Sequence, residues 1–186
     1  MTWFTNLFKK KKIEKTIYNN DLEWDVFINF SRGEKYFLEE KWEDALYHLD
    51  KALELGYEKD DIYEIRGYCL QALKYPFDAI EDFNKTISFS PNDCNLYFTR
   101  AILKKEIFDF EGEIIDLEKA IELSKQVNQM NKNYNEIAIK NGYSDGLEGL
   151  NSMYRMVLFG AKSRLNSNIE KINDEQLKLI KRRQNH

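Results

Sequence analysis

Residues 66–91 read RGYCLQALKYPFDAIEDFNKTISFSP, and the same pattern returns twice at a spacing of 34 residues. The earlier copy, residues 32–57, reads RGEKYFLEEKWEDALYHLDKALELGY, and the later copy, residues 100–125, reads RAILKKEIFDFEGEIIDLEKAIELSK. A fixed period of this length is typical of stacked structural repeats. The chain is therefore predicted to contain three copies of one unit, at residues 26–59, 60–93 and 94–127.

Small residues recur at three places in each copy. With the copies numbered from their first residues, those places are positions 8, 20 and 27. A small side chain lets two helix axes approach closely, so the pattern predicts a pair of helices that cross at these positions. Glu113 is the exception, and it predicts irregular packing in the third copy. The residues are Gly33, Gly67 and Ala101 at position 8, Ala45, Ala79 and Glu113 at position 20, and Ala52, Thr86 and Ala120 at position 27.

Large apolar residues recur three and four residues apart in the second half of each copy. This spacing is the period of a helix face that is directed inward. The turn chemistry agrees, because Gly56 can take a left-handed conformation after a helix and Pro76 suits a first helical turn. Asn92 and Asp93 can cap the helix that follows them. The apolar sets are Leu46, Leu49 and Leu53, then Ile80, Phe83 and Ile87, then Ile114, Leu117 and Ile121.

Residues 26–127 resemble the tetratricopeptide repeat family, whose 34-residue helix-turn-helix units carry small residues at positions 8, 20 and 27 and a proline near position 32, where Pro91 stands here. The resemblance implies an all-α superhelix in which each hairpin stacks on the next, with C-terminal helices that cap its end. It also implies a concave groove lined by the first helix of each pair. Proteins of this shape bind other polypeptides, so the implied function is that of an interaction adaptor or scaffold.

The resemblance also implies which side chains face the groove, namely positions 2, 5, 9 and 12 of each first helix. The expected partner-binding residues form an aromatic trough with an acidic middle, which favours a basic or aromatic-anchored segment. Family members that grip a carboxylate do so with Lys, Asn and Arg, but the matching positions here hold Phe30, Glu34, Ile65, Asn95 and Thr99. This clamp is therefore absent. The expected binding residues are Phe27, Phe30, Glu34, Phe37, Asp61, Glu64, Tyr68, Phe98, Ile102 and Lys105, with Gln71 and Asn95 at the remaining groove positions.

Charge divides along the chain. Residues 26–127 hold 13 Lys and Arg against 22 Asp and Glu, a balance of −9, whereas residues 128–186 hold 10 against 6, a balance of +4. An acidic array repels phosphate backbones, so nucleic acid is not an expected partner.

Nothing in the sequence predicts catalysis. The two histidines, His48 and His186, lie far apart, and no phosphate-binding, nucleophile-elbow or zinc-protease motif is present. Cys69 and Cys94 lack the spacing of a metal or disulfide framework and are interpreted as small buried apolar groups. We therefore expect neither an enzyme nor a cofactor or metal site.

The N-terminal segment, residues 1–25, carries Trp3, Phe4, Leu7 and Phe8 ahead of four lysines. These aromatics are expected to pack on the repeats or to stay disordered; contact of residues 1–12 with a membrane surface is the alternative. No apolar run is long enough to span a bilayer and no secretory pattern is present, so a cytoplasmic location is expected. This expectation includes a peripheral position at a membrane surface.

The C-terminal extension, residues 128–186, predicts further helices. One of them, capped by Ser144 and Asp145, has the apolar face Leu147, Leu150, Tyr154, Leu158, Ala161 and Leu165, and a basic amphipathic stretch follows with Ile169, Ile172, Leu179 and Ile180. Two interpretations stay open. The extension caps the array, or its tail folds back into the acidic groove. The second describes a self-capped regulatory or structural module that acts through its convex face or as a homodimer.

Overall fold

The computed structural model describes residues 21–130, 138–139, 142–143 and 145–166, and all regular structure in these ranges is helical. The predictions for residues 1–12 and for the tail after residue 166 lie outside the described residues. The all-α prediction is confirmed. The helices are α1 Asp21–Leu38, α2 Trp42–Glu54, α3 Asp60–Ala72, α4 Pro76–Phe89, α5 Cys94–Glu106, α6 Phe110–Met130 and α7 Leu147–Asn166.

The first six helices form three hairpins that stack in chain order. α1 packs on α2, α3 on α4 and α5 on α6, while α2 contacts α3 and α4 contacts α5 across the hairpin boundaries. The first helices of neighbouring hairpins also meet, since α1 touches α3. α7 packs along α6 and so continues the stack beyond the third hairpin.

The turn inside each hairpin has the same backbone geometry in all three copies. Glu40, Lys74 and Phe108, all at position 15, take positive φ angles of 59°, 66° and 67°. The amide of the residue after each one donates to a carbonyl five residues earlier, as in the 2.9 Å bond from Lys41 to Tyr36. This pairing satisfies carbonyls at the end of the first helix and reverses the chain within three residues.

The predicted helix boundaries are also present. Gly56, the second residue after the end of α2, has φ of 93°. Pro76 begins α4, and the Asp93 side chain caps α5 by accepting a 2.8 Å hydrogen bond from the amide of Asn95.

Close helix crossings occur where the small residues stand. Gly33 faces α2 so tightly that a Cβ atom there would come within 2.7 Å of Leu49. Gly67 faces α4 with more room, since its Cβ would lie 3.2 Å from the ring of Phe83. The alanines at positions 20 and 27 are fully buried. They are Ala45, Ala52, Ala79 and Ala120.

Two ion pairs with buried carboxylates join first and second helices at equivalent positions of the second and third hairpins. The Arg66 guanidinium donates to both carboxylate oxygens of Asp82 at 2.6 and 2.8 Å, and to Asp50 of the preceding hairpin at 3.2 Å. Arg100 makes the same two bonds with Asp116. The planar guanidinium binds both carboxylate oxygens at once. Each arginine also donates to a residue of the preceding hairpin and so connects the two hairpins.

The first hairpin lacks this ion pair. His48 takes the place of the aspartate, and its Nδ1 lies 3.0 Å from the Asn29 side-chain oxygen. Arg32 is exposed as a result. Burial, with the nearby Arg32 charge, lowers the pKa of His48.

Glu113 departs from the small-residue pattern and is nevertheless fully buried. Its carboxylate accepts a 2.5 Å hydrogen bond from Arg164 near the end of α7. Burial raises the pKa of Glu113, and the Arg164 charge opposes that rise. The irregular third copy is thus completed by the helix that follows the repeats.

Candidate functional site

A cavity of about 240 Å³ lies between the first helices of the second and third hairpins and α7. α3 contributes Tyr68 and Gln71, which stand three residues apart on one face of the helix. On α5 Phe98 and Ile102, four residues apart on one face of the helix, line the same space. These four residues occupy positions that the sequence assigned to the groove.

Polar groups from α5 complete the repeat side of the cavity. Asn95 and Thr99 line it. The Thr99 side chain is hydrogen bonded to the hydroxyl of Tyr68, whose pKa is raised by burial. Asn95 accepts a 3.0 Å hydrogen bond from the hydroxyl of Tyr154 on α7. The side-chain amide of Gln71 makes no hydrogen bond to another described residue, so this side chain can pair with an incoming group.

The remaining wall comes from the C-terminal extension. Tyr143, Leu150, Met153 and Tyr154 all line the cavity. Tyr154 is almost fully buried, and its ring stacks on Phe98 with centroids 4.6 Å apart. The stacked pair joins α7 to the face of α5 that carries the groove positions.

Two of the four predicted groove residues of the first hairpin, Phe30 and Phe37, lie in the core cluster. Phe30 is 7% exposed and stacks on Tyr57 at 4.4 Å, while Phe37 is 4% exposed and contacts the rings of Trp42 and Tyr68. Phe37 thus contacts the second hairpin through Tyr68, whereas Phe30 stacks on a ring of its own copy. Their role in partner binding stays a prediction.

The other predicted groove residues lie outside the cavity lining. Phe27, Glu34 and Glu64 are half-buried. Asp61, also half-buried, accepts a hydrogen bond from the Tyr57 hydroxyl at 3.2 Å. Lys105 is exposed at the end of α5. The structure therefore brings Tyr68, Phe98 and Ile102 together in one cavity but not the acidic residues.

Sequence reasoning missed the α7 side of this site. Leu150 and Tyr154 were recognised as members of an apolar helix face, but their meeting with α5 depends on where α7 docks. Tyr154 carries one usable signal, because a tyrosine on a buried helix face needs a hydrogen-bond partner for its hydroxyl. That partner, Asn95, was already a predicted groove residue.

The described residues offer little reactive chemistry. Burial raises the pKa of Cys69 to about 12 and that of Cys94 to about 11, so both thiols stay protonated at neutral pH. Among the described residues no group of three or more His, Cys, Asp or Glu side chains is arranged to hold a metal ion.

The fold is that of the tetratricopeptide repeat. The chain is similar to PcrH of Pseudomonas aeruginosa, solved in complex with the chaperone binding region of PopD, at 15% identity and a TM-score of 0.60 over 81% of this chain and 99% of that one. It is similar to the TPR2B domain of yeast Sti1 in complex with pHsp70, at 20% identity and a TM-score of 0.55, covering 76% and 98%.

The chain also resembles the type III secretion translocator chaperone SycD of Yersinia enterocolitica, at 16% identity and a TM-score of 0.57, covering 81% of this chain and 90% of that one. No family model matches the sequence, and neither does any curated protein. At these identities the likeness shows the fold, which confirms the predicted tetratricopeptide architecture.

Within the part of the chain that the structure describes, every helix is too short or too polar to span a bilayer.

Proposed function

We propose that this chain is a protein interaction module, without catalytic activity, that binds a segment of a partner polypeptide on the inner face formed by α1, α3 and α5. The observation that carries the proposal is the cavity of about 240 Å³ to which two successive first helices contribute their groove positions. Ligand sites form preferentially in such concave places between packed helices.

The solved structures support this proposal by analogy of fold. PcrH with the chaperone binding region of PopD and the Sti1 domain with pHsp70 are both complexes of this fold with a second protein or peptide. The fold alone does not fix the activity of a protein. The specific argument therefore rests on the cavity.

The finer features of the partner follow from the side chains on the inner face. Phe98 and Ile102 supply apolar contact, and the acidic residues Glu34, Asp61 and Glu64 favour a segment with positive charge outside the cavity. Aromatic anchors of this kind dominate the energetics of most interfaces.

Site-specific photo-crosslinking tests the proposal. A benzophenone amino acid is placed at Ile102 in the cavity or, as the matched control, at Phe89, which is 51% exposed on the second helix α4. The full-length variants are irradiated in extract of the native host. We expect a discrete polypeptide adduct from position 102 that position 89 does not give. The identified segment, synthesised as a peptide, then binds the unmodified protein in calorimetric titration.

Adducts from position 89 alone, or a captured segment that does not bind on its own, contradict the proposal. They favour instead the alternative of a module that acts through its convex face. One observation supports that second candidate: large apolar side chains are exposed on the second helix of every hairpin. These are Tyr47 at 59%, Phe89 at 51% and Ile115 at 63%.

A further inference from the structure

The cavity between α3, α5 and α7 is lined by uncharged residues only. A charged side chain placed there loses its hydration without gaining an opposite charge, which is unfavourable by several kcal/mol for an isolated ion. The acidic residues of the inner face are not part of the lining. The cavity and the acidic residues therefore select for different features of a ligand.

The size of the cavity sets the size of the group that it accepts. An apolar cavity of about 150 Å³ holds a benzene molecule in another protein. A cavity of about 240 Å³ therefore has room for one aromatic or large aliphatic side chain together with part of the attached backbone. Gln71 can donate to and accept from a peptide group at the same time, because its amide carries both functions.

α7 is held in place by contacts that lie outside the cavity as well as in it. Ser124 of α6 donates a hydrogen bond to Asn151, and both side chains are fully buried. Farther along, Arg164 neutralises Glu113 at 2.5 Å. These polar contacts fix α7 against α6 while Met153 and Tyr154 face the cavity. α7 is thus attached to α6 of the third hairpin, and the cavity beside it stays open.

We propose that α7 is a wall of the binding site, not its occupant, and that the cavity takes one large uncharged side chain of the partner segment while Gln71 pairs with the backbone next to it. The inference rests on the proposed function for its partner, a polypeptide. It differs from the self-capped alternative because α7 then contributes to affinity and does not compete.

Methionine methyl NMR on the full-length protein tests the cavity. Met153 lines it, whereas Met156, three residues on, is 69% exposed and provides an internal control. The probes are N-acetylphenylalaninamide and N-acetyllysinamide. We expect the neutral aromatic probe to shift the Met153 methyl signal saturably, with a Kd on the order of 1 mM for a ligand of this size, and to leave Met156 unchanged. Gln71→Ala should weaken it about 2- to 12-fold, the range of one hydrogen bond.

A second pair of variants tests the role of α7. Arg164→Ala removes a contact that holds the helix but does not line the cavity, and Arg155→Ala on the same helix removes only an exposed pair with Glu148 at 3.6 Å. If α7 is a wall, Arg164→Ala lowers affinity for the aromatic probe and Arg155→Ala leaves it unchanged. Increased or unchanged affinity in Arg164→Ala overturns the inference. If Arg164→Ala does not fold, Tyr154→Phe serves instead, because it loses the bond to Asn95 and keeps the ring on Phe98.

The two proposals fail in distinguishable ways. If the Met153 methyl signal does not shift with the aromatic probe, or shifts equally with the lysine probe, the inference of a cavity selective for uncharged side chains is refuted. A polypeptide cross-linked at position 102 would still support the interaction module. A Met153 response without any polypeptide adduct from position 102 refutes the module.

Discussion

The ion pair between Glu113 and Arg164 gives the most discriminating prediction. Glu113 is fully buried and Arg164 is 28% exposed. Oε2 of Glu113 makes no hydrogen bond among the described residues. Removing the arginine leaves a fully buried carboxylate with only the more distant charge of Lys105 acting on it, whereas removing the glutamate leaves a half-buried cation that can turn toward water. We therefore expect Arg164→Ala to destabilise the protein much more than Glu113→Ala.

The magnitude follows from two limits. Breaking a buried ion pair by deleting one partner costs about 3–5 kcal/mol, and less where one partner is partly exposed. At pH 7 the carboxyl can escape by protonation, which costs about 4 kcal/mol because its ordinary pKa lies about 2.7 units lower. Arg164→Ala should thus lower the free energy of unfolding by about 2–4 kcal/mol. Glu113→Ala restores the alanine found at this position in the other hairpins and should cost below about 1.5 kcal/mol.

The pH dependence has a defined sign. Burial raises the pKa of Glu113 in the folded protein. A carboxyl with a raised folded pKa favours folding when it is protonated, and this contribution is lost as the pH rises through the window between its ordinary and its raised pKa. Without the Arg164 charge the pKa of Glu113 in the folded protein rises further, so this pH range extends to higher pH. The penalty of Arg164→Ala should therefore shrink to about 1 kcal/mol at pH 5, where protonation is inexpensive.

Urea unfolding at pH 7.5 and pH 5, followed by far-UV circular dichroism and by fluorescence, measures these differences. The double variant Glu113→Ala with Arg164→Ala should be more stable than Arg164→Ala alone at pH 7.5, because the unpaired carboxylate is gone. Arg155→Ala is the control and should stay within about 0.5 kcal/mol of the parent. A double variant that is no more stable than Arg164→Ala, or a penalty independent of pH, refutes the reasoning.

Three further predictions concern the repeats. Lys74→Gly should stabilise the protein by about 0.5–1 kcal/mol in urea unfolding, because φ is 66° there and this conformation is unfavourable for a lysine. Lys85→Gly, in the exposed middle of α4, should destabilise the protein by about 1 kcal/mol. Stability changes of the same sign in the two variants contradict the explanation. Gly33→Ala should lower the melting temperature more than Gly67→Ala, since the new Cβ meets Leu49 at 2.7 Å but Phe83 at 3.2 Å; the reverse order means that α2 yields more easily than α4. Arg66→Ala should cost about 3 kcal/mol by leaving Asp82 buried and unpaired, whereas Arg32→Ala, at an exposed site, should cost at most about 0.5 kcal/mol in the same assay.

The stacked hairpins could be predicted from the sequence because their determinants are local and periodic. Gly33 and Gly67 face neighbouring helices at the predicted crossings. Pro76 begins α4 and Asp93 caps α5 where the turn chemistry indicates. The small residues recur at the same position of the 34-residue copies, and the turn residues fall between the helices that this period predicts. Consequently the register of the hairpins needed no long-range information.

The left-handed turns at position 15 could not be predicted in this way. Glu40, Lys74 and Phe108 have nothing in common as residue types, and none is a glycine. The closing hydrogen bonds and the packing of the two helices impose the conformation. Local propensity therefore gave no signal at a position where the three copies agree in structure.

The site was only half predictable for a different reason. Tyr68, Phe98 and Ile102 belong to the repeat and were assigned to the groove, but Met153 and Tyr154 reach the cavity through the docking of a helix that does not follow the repeat. The pairing of Glu113 with Arg164 spans 51 residues. No periodic pattern contains such a contact. Glu113, the exception to the small-residue pattern of the third copy, is thus one of the residues that hold α7 in place.

Hydrogen exchange of the full-length protein, with and without the segment captured at position 102, tests the central claim most directly. The account predicts added protection of amides in α3, α5 and α7, the three helices that line the cavity, with little change in α2 and α4. Protection confined to α2 and α4, or loss of protection in α7 as the segment binds, contradicts it.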